Sequence, residues 1–366
     1  MTSPGARVVV VRPDHLGDVL LTLPGVAALR RALPTARLAV AVPSAAAAAP
    51  GLCPHVADVH PVRFPPLGAR GGDEWEPADL RAQARRLAGR FDLALMPRPD
   101  DPWSGALAAA AEIPVRIGFD LPRTRPFLSH ALPGPDPSEH VVRHLPRVVA
   151  RLAGRGALAD PLPDPLPDPL AGTGPPPGLV VPTARDRRQA DALLAAVGQP
   201  APVVVHPGSG WPLKNWPPAR WGRLAARLHR DSGSSPLVLA SAAETDLVER
   251  VVEESRAAAV GFAGRLGLGA LAAVHGRARV VIGTDSGAMH LAALVGAPTV
   301  TLFGPADSGV FAPLGHAARR VLTADLPCRP CGTLVDPPCG ALTEPGCVTG
   351  VTVDDVVDAA TSLRRE

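Results

Sequence analysis

One segment narrows the fold of this chain more than any other. It is Val280-Val281-Ile282-Gly283-Thr284-Asp285-Ser286-Gly287-Ala288-Met289-His290 with its continuation to Phe303. An apolar run stops at Gly283, and a carboxylate, a hydroxyl and a glycine follow. A helix-like run from Ala288 to Val295 is then closed by Gly296, and a second apolar run extends from Pro298 to Phe303. The pattern predicts strand, polar turn, helix, strand: a βαβ unit with its polar residues at the C-terminal end of the first strand. In open α/β sheets ligands bind in that crevice, and a helix N-terminus there presents free N–H groups and a positive dipole end to a phosphate. Asp285 repels phosphate but is suited to accept hydrogen bonds from sugar hydroxyls. Ser286, Gly287 and the helix start are left for the phosphate. The competing expectation is that Asp285 and Ser286 only cap the helix.

A length of 366 residues and 46% hydrophobic content favour two folded domains. No apolar run approaches the ~18 residues of a membrane span. The start, MTSPGARVVVVRPD, carries no signal-peptide core, so a cytoplasmic protein is expected. A net charge of +3 gives no nucleic-acid footprint. Of the 37 basic residues 36 are arginine, so the chain's single lysine, Lys214, stands out beside its single asparagine, Asn215.

In the first half, Arg7 to Val11 reads as a buried strand and Arg12-Pro-Asp-His-Leu-Gly-Asp18 as its turn. A helix follows with Leu16, Leu20, Leu23 and Ala27 on one face and a kink expected at Pro24; the next strand spans Leu38 to Val42. There is no G-x-G-x-x-G and no Walker lysine, which argues against NAD and P-loop chemistry. Asp18 stands at a helix N-terminus facing the crevice. The dipole is expected to lower its pKa and keep it ionised as a base; a first-turn dipole partner is the plainer alternative. Phe91 to Met96 reads as a further strand. A helix opening at Glu139-His140 places His140 and His144 one turn apart, a metal spacing without a completing acid, so a polar helix face is expected.

Residues 160–178, DPLPDPLPDPLAGTGPPPG, exclude helix and central strand and read as a stiff linker. The expected domains are therefore 1–159 and 179–366. Alternating strand and helix signals in each predict two parallel α/β domains facing each other across a cleft, with Asp18 on one lip and Asp285 on the other.

The second half opens with a helix from Arg185 to Val197 and a strand ending at His206. After it, Pro207-Gly208-Ser209-Gly210-Trp211-Pro212-Leu213-Lys214 combines glycines, a hydroxyl and a lysine before a helix, the composition of a phosphate cradle. A surface turn anchored by tryptophans is the alternative. Glu244, after the strand Leu237 to Ala240, sits where an acceptor for a ribose diol would be, or serves as a helix-start acid. Cys328, Cys331, Cys339 and Cys347 fall within twenty residues of Pro- and Gly-rich chain. Their C-x2-C half suits structural Zn or Fe; free or structural thiols are the other reading.

With these motifs assembled, the chain resembles glycosyltransferase family 9, the ADP-heptose:lipopolysaccharide heptosyltransferases. The resemblance is carried by RPDHLGDVLLTLPGVAALR near the start, RIGF at 116–119 and HPGSGWPLKNWPPARW at 206–221. It continues through residues 264–305 and the PCRPC segment. It implies a GT-B architecture of two Rossmann-like parallel-sheet domains, an acceptor-side N-terminal half and a nucleotide-sugar-binding C-terminal half. It further implies inverting transfer with no cofactor required for catalysis. Asp18 would be the base, Ser209, Lys214, Ser286, Gly287 and His290 would surround the donor phosphates, Glu244 would hold the ribose, and Asp285 the heptose hydroxyls. The implied partners are an ADP-sugar and a hydroxyl on a glycan, lipid-linked or other acceptor, met peripherally at the inner face of the membrane in lipopolysaccharide core biosynthesis. A silent binding relative and a sugar-nucleotide epimerase of the same fold are the alternatives.

Overall fold

The computed structural model describes residues 5–64, 77–153 and 177–363. The chain divides into two compact units, residues 1–174 and 175–366. Residues 160–176 of the expected linker lie outside the described residues.

Among the described residues the first unit contains six strands: β1 Arg7–Val11, β2 Arg37–Pro43, β3 Asp58–Val62, β4 Leu93–Leu95, β5 Val115–Phe119 and β6 His130–Leu132. They form one parallel sheet in the order β3-β2-β1-β4-β5-β6. Val8 to Val11 are almost wholly buried and flanked on both sides, Val8 pairing with Leu38 and with Leu93. A central parallel strand covered on both faces should read as this kind of unbroken apolar run. The helix Leu16–Ala32 continues through Pro24 and buries every residue from Val19 to Leu29, rather than one face. It lies so close to the helix His144–Ala153 that a Cβ on Gly25 would come 2.8 Å from Leu145 Cβ.

The second unit repeats the plan with β7 Val203–His206, β8 Leu237–Ala240, β9 Val260–Ala263, β10 Val280–Thr284, β11 Thr299–Phe303 and β12 Arg319–Thr323. The parallel sheet runs β12-β11-β10-β7-β8-β9. Counted within its own unit this is the 3-2-1-4-5-6 order again, read from the opposite edge. Both sheets are therefore doubly wound, and each has its switch point between its first and fourth strands, β1/β4 and β7/β10. The helix Ala184–Ala196 begins with a Thr183–Asp186 capping box, and the helix Pro218–Ser232 ends on Gly233 at φ 68°. Its Trp221 and the neighbouring Trp216 meet edge-to-face, with ring centroids 4.9 Å apart, in the core on that side of the sheet. Among the described residues no helix is long and apolar enough to cross a membrane.

Candidate functional site

The switch point of the first sheet gathers charge. Arg12 and Asp14 leave the end of β1, and Arg98 leaves the end of β4, so the order of strands brings them together. Arg12 is 5% and Asp14 6% exposed. Arg12 Nε lies 2.7 Å from Asp14 Oδ2, an ion pair without hydrogen-bond alignment. The Arg98 guanidinium donates a short hydrogen bond to Asp14 Oδ1. Asp18, in the first turn of the helix Leu16–Ala32, has Arg12 Nη2 3.6 Å from its Oδ1. Asp101 accepts from the backbone N–H groups of Trp103 and Ser104, capping the helix Pro102–Ala110 beside this cluster.

Asp18 corrects one expectation. Its pKa is raised, not lowered: burial of the carboxyl is the main cause and the Asp14 charge adds to it, against Arg12, Arg98 and His15. The helix dipole acts on a group held among protein atoms, where desolvation of the charged form is the larger effect. A raised pKa leaves Asp18 a stronger base once ionised.

His140 and His144 are buried rather than on a polar face. His140 Nδ1 accepts from Val142 N, and His144 packs edge-to-face on Phe119 at 5.5 Å. Burial and the nearby Arg12 lower the His144 pKa to about 4.

At the second switch point, β10 delivers Asp285 and the loop after β7 delivers Lys214. Lys214 Nζ lies 2.6 Å from Asp285 Oδ2, both side chains largely buried. Thr284 Oγ1 donates a short hydrogen bond to the Lys214 carbonyl, tying that loop to the end of β10. His290 Nε2 is 3.9 Å from Asp285 Oδ1. Asp285 is not a cap: Ser286 holds the N-cap position of the helix Gly287–Leu294, makes no side-chain capping bond, and its buried hydroxyl has no hydrogen-bond partner among the described residues. A helix start with unpaired N–H groups, an unengaged hydroxyl and a lysine nearby is chemically an anion site.

The remaining predicted donor-site residues are placed in less obvious ways. Ser209 Oγ donates to Asn215 Oδ1 at 2.8 Å or to the Trp211 carbonyl at 2.9 Å, so it holds the loop in shape together with the chain's single asparagine. Glu244 Oε2 accepts from Ser241 N and Oγ as a capping box, while Oε1 is packed so tightly over Gly208 that a Cβ there would collide with it. Glu244 and the glycine loop therefore converge at the ends of β7 and β8.

Among the described residues no three His, Cys, Asp or Glu side chains form a group able to hold a metal ion. Cys347 is drawn into the hydrophobic core on the short helix Gly346–Thr349, whereas Cys328 and Cys339 are exposed. Burial pushes the Cys347 thiol pKa up, and the neighbouring Cys331 and Cys339 add to it. The segment also braces a loop. Arg329 Nε donates to the Gly304 carbonyl at 2.7 Å, and Gly332 N to the Pro305 carbonyl at 2.9 Å, just past the end of β11. A Cβ on Gly304 would run into Val348.

The sequence reading missed the pair His206 and His275. Both are buried, with Nε2 atoms 2.7 Å apart and rings edge-to-face. Burial lowers the pKa of each, to about 4 for His206. Nothing in the local pattern of His275, 69 residues away, could have revealed its partner.

Comparisons with known proteins agree with this architecture. Residues 80–337 match the model of glycosyltransferase family 9 (heptosyltransferase). Lipopolysaccharide heptosyltransferase 1 of Pseudomonas aeruginosa is 38% identical over 134 residues, 37% of this chain and 37% of that protein, so the match spans little more than a third of either chain. Two solved structures share the fold along nearly their whole length. The family 9 glycosyl transferase of Veillonella parvula has a TM-score of 0.76 at 22% identity, covering 100% of this chain and 99% of that one. Escherichia coli ADP-heptose lps heptosyltransferase II also has a TM-score of 0.76, at 19% identity with 98% of both chains covered. Two doubly wound parallel sheets, the GT-B pattern, thus carry a sequence matched by the family over most of its length, and the chain belongs to glycosyltransferase family 9 (heptosyltransferase).

Proposed function

We propose that this protein transfers a heptose from ADP-heptose to a hydroxyl of a lipopolysaccharide-core type of acceptor, inverting the anomeric centre. The observation that carries the reading is the meeting of the chain's single lysine with Asp285 and an uncapped helix start at the switch point of the second sheet. Escherichia coli ADP-heptose lps heptosyltransferase II has a similar fold.

In this reading Lys214 leaves Asp285 for the donor diphosphate, and Asp285 becomes an acceptor for sugar hydroxyls. Ser286, the Gly287 backbone and the helix start take phosphate oxygens, with His290 behind Asp285. Ser209 keeps the loop closed, and Glu244 Oε1 offers a ribose acceptor. Asp18 removes the acceptor proton as that oxygen forms its bond to the anomeric carbon and the bond to the β-phosphate breaks. Negative charge then grows on the leaving ADP. Preorganised donors and cations aimed at such charge contribute ~3 kcal/mol each. Attack from the face opposite the leaving group inverts the centre, as in inverting glycoside hydrolysis.

Calorimetric titration with ADP-heptose, and with UDP- and GDP-sugars as comparators, tests the donor. Selective binding of ADP-heptose, lost in Lys214→Ala, is expected. Tight binding of another nucleotide-sugar would discard the heptose, and a folded protein that binds none would be a silent relative.

A further inference from the structure

The first unit's switch point holds more charge than one general base requires, and the charges pair unequally. Asp14 takes both cations: Arg12 Nε at 2.7 Å and the Arg98 guanidinium, which hydrogen-bonds to its other oxygen. Asp18 meets Arg12 Nη2 at 3.6 Å, outside hydrogen-bond range. Asp14 is 8% exposed at its side chain and Asp18 28%, so the paired acid is the covered one and the loosely paired acid is the accessible one.

We propose that Asp14 is a positioning residue: by holding the Arg12 and Arg98 guanidinium groups on its own carboxylate, it keeps them from closing on Asp18 and leaves Asp18 able to take a proton from a substrate hydroxyl. The proposal rests on the reading of Asp18 as the base. A guanidinium paired bidentately with Asp18 would occupy its oxygens and stabilise its ionised form, which blocks the base and weakens it. The other groups acting on this cluster are His15 from the turn before the helix, Asp101 from the start of the helix Pro102–Ala110, and His144 from the helix His144–Ala153. His144 stays neutral down to pH about 4.

The test is a pH titration of the whole protein by NMR with ¹³C-labelled aspartate carboxyls, the Asp18 signal being identified by its loss in Asp18→Asn. In Asp14→Asn the midpoint of Asp18 is expected to fall by about one unit or more, because a like charge leaves and Arg12 is released toward it. An unmoved midpoint in folded Asp14→Asn overturns the proposal. Should that variant not fold, Asp14→Asn/Arg98→Gln removes one acid and one base together. The midpoint is again expected to fall, since Asp14 acts on Asp18 more strongly than Arg98 does; a constant or rising midpoint overturns the proposal. Acceptor-dependent ADP release lost in Asp14→Asn with the Asp18 titration unchanged would show a merely structural role and also overturn it. The titration needs no substrate, so a shifted midpoint in a protein that fails to bind ADP-heptose would remove the transfer reading and leave the pairing standing.

Discussion

At the scale of the residue, the account divides the chemistry between Asp18 and Lys214. General-base catalysis contributes ~10²–10⁴-fold, so Asp18→Asn should lower acceptor-dependent ADP release by about 10³-fold. Because Asp18 belongs to the first unit, donor affinity should stay within about twofold. With Asp18 as the base, the ionised carboxylate would be the active form, and its pKa is raised. Activity is therefore expected to fall as pH drops through a value above the ordinary ~3.9, and a pH profile of kcat/KM reads that limb directly. Lys214→Ala removes a charge-assisted contact worth ~1.5–3 kcal/mol, so donor binding measured by calorimetry should weaken on the order of 10–100-fold. The variant also leaves the buried Asp285 without its cation. Sequence pattern located all of these residues but not their pairing. The rarity of Lys214 and the position of Asp285 after an apolar run were visible along the chain, whereas the 2.6 Å contact between them exists only because β7 and β10 are neighbours. The pKa of Asp18 was misread for a similar reason, since the Asp14 charge and the depth of burial depend on packing that a local dipole argument omits.

At the scale of the element, the strands legible in the sequence were interior ones, all but β5, whose Arg116 and Gly118 break its apolar run. β1, β2, β4, β7, β8, β10 and β11 are covered on both faces, and their apolar runs announce them. The edge strands β3, β6, β9 and β12 passed unread. Each is partly exposed; β3, β6 and β12 carry polar residues, β12 beginning with Arg319-Arg320, while β9, Val260–Ala263, is apolar but short and interrupted by Gly261. In the cysteine segment Cys347 is packed in the core, while Cys328 and Cys339 are exposed. Cys347→Ser places a hydroxyl in an apolar core and should cost ~1–3 kcal/mol in denaturant unfolding. Cys328→Ser and Cys339→Ser, both at exposed positions, should stay within ~0.5 kcal/mol. A larger loss at either exposed thiol would contradict the separation.

At the scale of the whole molecule, two units with the same strand order each place their polar residues at a switch point, which is why charged side chains gather at Arg12–Asp18 and at Lys214–Asp285. The buried imidazoles tie the stability of the chain to pH. His206 has a folded pKa of about 4 against an ordinary 6.5. Below pH 6.5 the unfolded chain binds a proton that the native chain refuses, so stability declines from pH 6.5 to about 4 and then levels. His206 and His275, their Nε2 atoms 2.7 Å apart, titrate as a coupled pair, and both act in this direction together with His144. Urea unfolding at pH 7 and pH 4.5 checks it, and equal stability at the two would contradict neutral burial. The most direct measurement for the account as a whole is ADP release from ADP-heptose by the wild type and by Asp18→Asn, with and without a lipopolysaccharide core lacking heptose, and with donor binding measured on both proteins. The account predicts release by the wild type only when acceptor is present, and near-complete loss in Asp18→Asn with donor binding retained. Release by Asp18→Asn at the wild-type rate would contradict it.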